Sequence, residues 1–568
     1  MLSSAIVRRE SLCRETGLTV EAAAYAAVCL LGLGLRLAAL GSAPLSPNEA
    51  AQALAAHRLA LGSPAEVGET GPTAPALLTL QALVFFLFGA GDSTARLPVA
   101  VLTAFSPLAF WLLRPVLGRN RSLLAALLLS LSPFWTASGS MGLGRGLAGA
   151  ALLFALGFGA KRALGGGRNW AVATGVGLAV ALGSSADAWA ALVLGLIVWL
   201  AVRRDLPRPR HTTWAGFGLG LGAGALVIST AGFLHPAGFQ SMLDLGGSLA
   251  HGLLQREPGV FARQVLVLLA YEPLLLVPAL GVILLIPPQD PVGRALYLWT
   301  GTSLLLILVA GAPGLGLVLA LPALAVLAAP AVEGIGRRLA SLDGRLLPEA
   351  AAVATVLGGY AAVALTGLAK REDTVFLLLL ITAAGIGLAL LGLLWLRQGP
   401  QTAGAVGASA LLVVLFLWSL ANSTQGATLR HRLPQEVTLP TVSAAGLGDL
   451  VRDVTDLSWS RTGHGDELAL VAERSVGPAV AWYLRHMRDL TWVEVVAGEA
   501  DAPALLTEGT DLLLTGGNYV GQEYAVAGNW RPRFADVGAF LSWLLYREVP
   551  TVDVEWERVS LWVRSDGG

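Results

Sequence analysis

The sequence predicts an α-helical, polytopic membrane protein with a small α/β domain at its C-terminal end. Three observations lead there. The 568 residues are 55% hydrophobic and only 13% charged, with a mean hydropathy of +0.67. A globular domain carries about 25% charge, so much of this surface is unsuited to water. Apolar segments of about 20 residues, the length that crosses a hydrocarbon core, recur along the first 421 residues. From residue 422 the texture changes: 12 Arg, no Lys and 20 Asp plus Glu give a net charge of −8, against +8 for the first 421. This composition excludes an ordinary soluble enzyme and a disordered chain. No basic stripe interleaved with aromatics points to nucleic acid.

Segments that meet or approach the spanning length lie near 20–40, 98–117, 122–139, 143–160, 169–185, 187–202, 214–233, 264–286, 292–311, 314–332, 349–368, 374–396 and 403–421, thirteen in all. The first follows Arg8, Arg9 and Arg14 in the manner of a signal peptide. It is too long for an h-region, however, and Pro44 spoils the Ser42-Ala43 cleavage candidate, so it reads as a retained span. Cys13 and Cys29 offer no disulfide framework. Basic clusters at Arg8/Arg9/Arg14, Arg119/Arg121, Lys161/Arg162/Arg168, Arg203/Arg204/Arg208/Arg210, Arg294, Arg337/Arg338/Arg345 and Arg397 all fall on one side of thirteen alternating spans. By the positive-inside rule that side is cytoplasmic; only Lys370/Arg371 dissents, accompanied by Glu372/Asp373. The stretch Pro75–Ala90 has 16 residues and reads as a short re-entrant or juxtamembrane helix. The N-terminus is then cytoplasmic, and loop 41–97 and the C-terminal domain face outward.

A membrane domain therefore covers 1–421 and an extracytoplasmic α/β domain 422–568. In the latter, Leu468–Glu473, Trp492–Ala497, Leu512–Thr515 and Val559–Arg564 read as strands, and Pro478–Met487 and Phe534–Tyr546 as helices. Seven of the 16 Trp lie here, as expected of a domain held against a membrane surface.

Polar residues at the outward ends of spans are where chemistry is expected. The run Pro44-Leu45-Ser46-Pro47-Asn48-Glu49 opens a helix to about Leu61, with Pro47 in its first turn and Glu49 where the helix dipole favours an anion. Gln52, His57 and Arg58 lie on this helix. Phe88-Gly89-Ala90 and Arg96-Leu97-Pro98 lead into the next span, Leu131-Ser132-Pro133-Phe134 closes another, and Arg145 follows. Arg96 and Arg145 fall near the outer face; snorkelling to headgroups also explains such arginines.

This ordered set, with Arg36 near the end of the first span, resembles the GT-C superfamily of polytopic glycosyltransferases. That superfamily includes the protein O-mannosyltransferases and aminoarabinose transferases. The motifs cover about residues 28–160. Tyr271-Glu272-Pro273, Val480-Ala481-Trp482-Tyr483-Leu484-Arg485 and Leu561-Trp562-Val563-Arg564 are similar to an archaeal and Chloroflexota branch described as flippase-activity-associated. The resemblance implies a polyprenyl-phosphate-linked sugar donor at the outer face of the cell membrane and transfer to an acceptor that the sequence does not identify. Cations must hold the departing phosphate, and a carboxylate must take the acceptor proton. Asn48, His57, Arg58, Arg96 and Arg145 are the expected phosphate or substrate contacts, and Glu49 the candidate base. Relatives usually carry Asp-Glu where this chain has Asn48-Glu49, and a second acidic residue in the next outward loop, where 138–146 has none. The alternative is a non-catalytic homologue that assists lipid-linked sugar translocation or glycan assembly.

Glu272 is a carboxylate about 12 Å into a span at 1.5 Å per residue, which is by default a functional hypothesis; it joins the expected substrate contacts. His235 and His251, with Asp244 between them, match no dedicated metal motif. No metal ligand is therefore assigned, although the chemistry leaves room for a divalent ion. The 30-residue loop 234–263 has the length of a lid. Arg485 and Arg488 read as surface charges of a helix.

Overall fold

A computed structural model describes residues 19–38, 40–62, 74–204, 211–255, 259–341, 346–371, 374–428, 433, 435–438, 441–498, 502–509, 513–514, 519–548 and 554–565. The fold is a polytopic helical assembly followed by a small sheet domain. Among the described residues, seven helices are long and apolar enough to cross a membrane: Val20–Leu37, Asp92–Leu117, Gly144–Ala163, Pro291–Val309, Leu317–Ala340, Val375–Gln398 and Pro400–Gln425. Two further pairs, each bent at a break, raise the number to nine if each pair is one span. The thirteen expected spans are thus not all reproduced as single long helices. Segment 122–139 splits into Arg119–Ser130 and Pro133–Ser140 with a 62° bend, and 264–286 breaks between Val260–Tyr271 and Pro273–Leu285 with an 88° bend. Both breaks precede a proline, which lacks the helical N–H and clashes with the preceding turn. Others, such as Ala186–Val202 with 17 residues, stop short at polar caps.

Close approach of membrane helices depends on small residues. A Cβ on Gly175 would overlap the carbonyl of Phe217, and one on Gly220 that of Val172. Helices Arg168–Leu182 and His211–Ser229 consequently meet backbone to backbone. Val375–Gln398 lies at the other extreme, with only 6% of its apolar window buried. Such a face suits lipid.

The 14-residue loop helix Pro47–Ala60 begins with a complete capping box: the Ser46 side chain accepts from the Glu49 N–H, and Glu49 returns a bond to the Ser46 N–H. Its alanines are almost fully buried between Pro75–Phe88 and the short helix Pro478–Tyr483. The 14 residues of Pro75–Phe88 reach only about 21 Å at 1.5 Å per residue.

Among its described residues the C-terminal domain has eight strands: β1 (Val442–Ser443), β2 (Leu470–Glu473), β3 (Leu490–Val493), β4 (Ala497–Gly498), β5 (Ala504–Glu508), β6 (Leu513–Leu514), β7 (Tyr519–Trp530) and β8 (Val554–Arg564). Six form a mixed sheet ordered β1-β7-β8-β5-β2-β3, with β2 parallel to β3 and β5 and the other pairings antiparallel; β4 and β6 pair separately. The expected strands 468–473, 512–515 and 559–564 overlap β2, β6 and β8, the last of which begins earlier, at Val554, whereas 492–497 shares only Trp492 and Val493 with β3 and Ala497 with β4. Strands β5 and β7 and the helix Ala445–Thr462 were not expected.

This domain shares its core with the membrane part. Trp482 and the Leu470 side of the sheet pack with Leu45, Ala53 and Leu54 of the loop region in one apolar cluster. Asp92 accepts from Trp482 Nε1 at 2.9 Å and from the Tyr483 hydroxyl at 2.5 Å, while the Leu45 N–H donates to Tyr483 at 2.8 Å. Burial first and the Asp92 charge second push the Tyr483 hydroxyl well above the usual tyrosine range, so it stays protonated as a donor. At the other end the Trp530 and Trp543 rings, tilted by 31° with centres 5.8 Å apart, join the membrane helices' core. Buried Arg547 pairs with Glu436, which also accepts from Tyr271.

Candidate functional site

A cavity of about 570 Å³ lies where the two parts meet. The loop helix contributes Asn48 and Gln52, and the half-helix Pro133–Ser140 contributes Phe134 and Ser138. Arg145 stands at the start of Gly144–Ala163, and Arg263 lies on the segment Val260–Leu266. From the C-terminal domain come Asn529, Arg531 and Pro532 at the end of β7.

Two of the seven expected site residues, Asn48 and Arg145, are on this wall. The Asn48 side chain makes no hydrogen bond to another described residue. Arg145 is fixed from behind: Nε donates to Asp187 Oδ2 at 3.1 Å and Nη2 to the Pro313 carbonyl at 2.8 Å. Asp187 is itself held by Ser185 and the Gly316 N–H. Nη1 has no hydrogen-bond partner among the described residues. Gly314, at φ +74°, leaves the space it occupies, since a Cβ there would overlap Nη1. A guanidinium held in this way on a cavity wall is a group that can meet an oxyanion.

Glu49 and Arg96 lie behind the wall. Glu49 Oε1 accepts from Arg96 Nε at 2.8 Å and the Gly142 N–H at 2.7 Å. Oε2 accepts from Arg96 Nη2 at 3.0 Å, and from the Ser46 N–H and hydroxyl at 2.9 and 3.0 Å. Arg96 spends its remaining donors on the carbonyls of Leu40, Ala43 and Pro44. Burial alone would raise the Glu49 carboxyl, but the Arg96 charge and the bonds from Gly142 and Ser46 outweigh it and hold it below the usual carboxylate range. The expectation of a base at Glu49 is therefore corrected. A carboxylate 1% exposed, with five donors on its oxygens, neither reaches an acceptor nor takes its proton. Arg96 likewise has no edge turned to the cavity.

His57 and Arg58 also miss the wall. The His57 ring lies edge-on to Phe85 and Trp482, at 6.4 and 6.3 Å between ring centres. Burial first, then the Arg485 charge, lower its pKa. It is thereby kept neutral and is unsuited to grip a phosphate. Arg58 is half-buried on the same helix. Arg485, expected as a surface charge, stacks 3.7 Å over Trp482 and donates to the Ala90 carbonyl.

Glu272 is fully buried at the 88° break, away from the cavity. Its Oε1 accepts from the Ser132 hydroxyl at 2.7 Å and the Phe134 N–H at 2.8 Å. This carboxyl caps the half-helix Pro133–Ser140, whose Phe134 and Ser138 line the cavity, so it acts on the site only through position. Arg36, also buried, donates to Thr103 at 3.0 Å, the Gly32 carbonyl at 2.9 Å and the Trp135 carbonyl at 3.4 Å.

Sequence reasoning missed Arg263, Asn529 and Arg531. Arg263 Nη2 donates to the Trp530 carbonyl and, at 3.4 Å, to Asn529. Arg531 pairs with Glu555 at 3.0 Å. No local motif marks them. Among the described residues lining the cavity none is Asp, Glu or His, and no group of three or more His, Cys, Asp or Glu is placed to hold a metal ion. The segment 234–263, expected as a lid, is largely the helix Gly238–Leu254, whose Leu245 touches the cavity. Glu66 and Glu69, acidic residues of the loop 41–97, lie outside the described residues.

No protein-family model and no curated protein sequence matches the chain. In three dimensions it is similar to ArnT from Cupriavidus metallidurans, solved bound to undecaprenyl phosphate, over 95% of this chain and 97% of that one, with 16% identity and a TM-score of 0.53. It is also similar to the Archaeoglobus fulgidus oligosaccharyltransferase in its apo form, over 83% and 64% of the two chains, with 12% identity and a TM-score of 0.50. At such identities the likeness is one of architecture: this chain shares the fold of these two proteins.

Proposed function

We propose that this chain binds a polyprenyl-phosphate-linked sugar at the outer face of the cell membrane, with the lipid phosphate on Arg145, as a GT-C-type glycosyltransferase. The position of Arg145 on the wall of a cavity between membrane helices and the C-terminal domain carries this reading. The undecaprenyl phosphate bound to the similar ArnT supports it. In this reading Asn48 touches the sugar or acceptor, and Glu49 and Arg96 brace the loop helix that presents it. The orientation follows the basic clusters, which place the N-terminus inside and the domain 422–568 outside.

One observation favours the second reading, a non-catalytic homologue that assists lipid-linked sugar translocation or glycan assembly. The described wall offers no group that takes a proton near neutral pH, and Asn48 cannot. Both readings share the lipid-phosphate contact, which is tested first. Purified protein in nanodiscs is titrated with undecaprenyl phosphate. Arg145→Gln is expected to weaken binding about ten- to a hundredfold, the worth of one charge-assisted hydrogen bond or a bidentate pair. Equal affinity of the two proteins would overturn the assignment. Turnover of polyprenyl-phosphate hexoses by the wild type then separates transfer from assistance.

A further inference from the structure

A second, much smaller space opens beside the cavity. Its volume is about 10 Å³, room for a single water or hydroxyl. Arg145, Arg263 and Thr438 line both spaces, and Gln264, from the segment Val260–Leu266, lines the smaller one. Gln264 is 1% exposed, and its Nε2 donates to the Ala312 carbonyl at 3.0 Å. Its Oε1 is buried and has no hydrogen-bond partner among the described residues. A buried acceptor left unpaired is costly, so this oxygen calls for a donor. Thr438 adds a second acceptor. Its one hydroxyl proton goes to Glu436 Oε1 at 3.4 Å, which leaves it only lone pairs to offer.

The group that suits this space follows from these atoms. It must donate to an oxygen and be no larger than a hydroxyl. A phosphodiester only accepts and does not qualify. A sugar hydroxyl does, and its own oxygen can accept from a guanidinium of the same wall. With the lipid phosphate on Arg145, connectivity singles out one hydroxyl. The carbon bonded to the anomeric carbon carries the sugar hydroxyl nearest the phosphate. Resting on the lipid-phosphate reading above, we infer that Gln264 accepts from the 2-hydroxyl of the lipid-linked sugar and so selects the donor. Sugars with a hydroxyl at this carbon fit. A 2-deoxy sugar leaves the amide oxygen unpaired, and a 2-acetamido group is too large for the space.

The test uses the full chain in nanodiscs, titrated with undecaprenyl phosphate and with its glucosyl, mannosyl, 2-deoxyglucosyl and N-acetylglucosaminyl esters. Glucose and mannose differ only in the direction of the 2-hydroxyl, and the 2-deoxy form is the common control. One of the two is expected to bind about tenfold more tightly than the 2-deoxy form. The N-acetylglucosaminyl form is expected to bind no better than the 2-deoxy form. Gln264→Met keeps the length of the side chain and removes its acceptor. It is expected to bind the hydroxyl and 2-deoxy forms alike, while undecaprenyl phosphate, which bears no sugar, reports that the variant is folded. Should that variant not fold, Thr438→Val carries the same comparison and is expected to narrow the preference. A wild type without preference for either hydroxyl form would overturn the inference. So would a preference that survives unchanged in the variant, since the small space then takes a resident water only. A wild type that binds no undecaprenyl phosphate at all removes the reading of Arg145, and this inference with it.

Discussion

Replacement of Glu49 by Gln separates a structural carboxylate from a catalytic one. The substitution keeps volume and shape but removes the charge that faces Arg96. Glu49 Oε1 accepts two hydrogen bonds and Oε2 three. Whichever end the amide nitrogen takes, it confronts at least two donors. Arg96 is 6% exposed and would be left as a buried cation without its anion. Breaking a buried pair from one side costs about 3–5 kcal/mol, so Glu49→Gln should melt several degrees below the wild type when followed by tryptophan fluorescence in detergent. The pH dependence has a definite sign. Because the folded carboxyl lies below its ordinary value, its contribution is fully present above the unfolded pKa of about 4.3. That contribution is lost as pH falls through the folded value, and nothing from this group changes between pH 6 and 8. A Glu49→Gln protein that melts with the wild type, yet loses a transfer activity titrating near neutrality, would refute this account and restore Glu49 as a base.

Two further substitutions probe the buried polar groups around the half-helix Pro133–Ser140. A Cβ at Gly139 would overlap Arg36 Nε and Thr103 Oγ1, so Gly139→Ala must displace a buried guanidinium and should destabilise by about 1–3 kcal/mol; a melting curve identical to the wild type would show that Arg36 has another seat. Glu272→Gln retains an oxygen for Ser132 and Phe134 and should melt close to the wild type. Glu272→Leu orphans both donors, at about 1–3 kcal/mol each, and should melt well below it. Equal behaviour of the two Glu272 variants would show that charge, rather than capping, is what this site requires.

The capping function of Glu272 also joins the two broken helices, since its oxygen holds the start of one while its own residue begins the other. Breaks of this kind place non-helical backbone at membrane depth, which is tolerated where protein buries it or a cavity receives it. Here both occur: Glu272 is buried, and Phe134 and Ser138 reach the cavity.

Much of this architecture was legible one residue at a time. Membrane character followed from apolar segments of spanning length and a charge fraction too low for water. The loop helix followed from Pro47 and Glu49, whose preference for the first turn depends only on local backbone geometry. The change to an acidic sheet domain followed from composition and short alternating strands. What escaped were long, half-exposed strands such as β7, with its burial set by partners far along the chain, and the bends, because a proline in an apolar run leaves a kink and a break equally open. The site itself belongs to tertiary structure. Asn48 and Glu49 are adjacent, yet neighbouring helical residues point about 100° apart; only the packing of the loop helix decides that the amide meets the cavity and the carboxylate meets Arg96. Arg145, Arg263 and Arg531 come from separate elements and share no spacing. Their convergence is decided by the docking of the C-terminal sheet on the membrane helices, because an electrostatic site depends on distances through space, which local sequence does not encode.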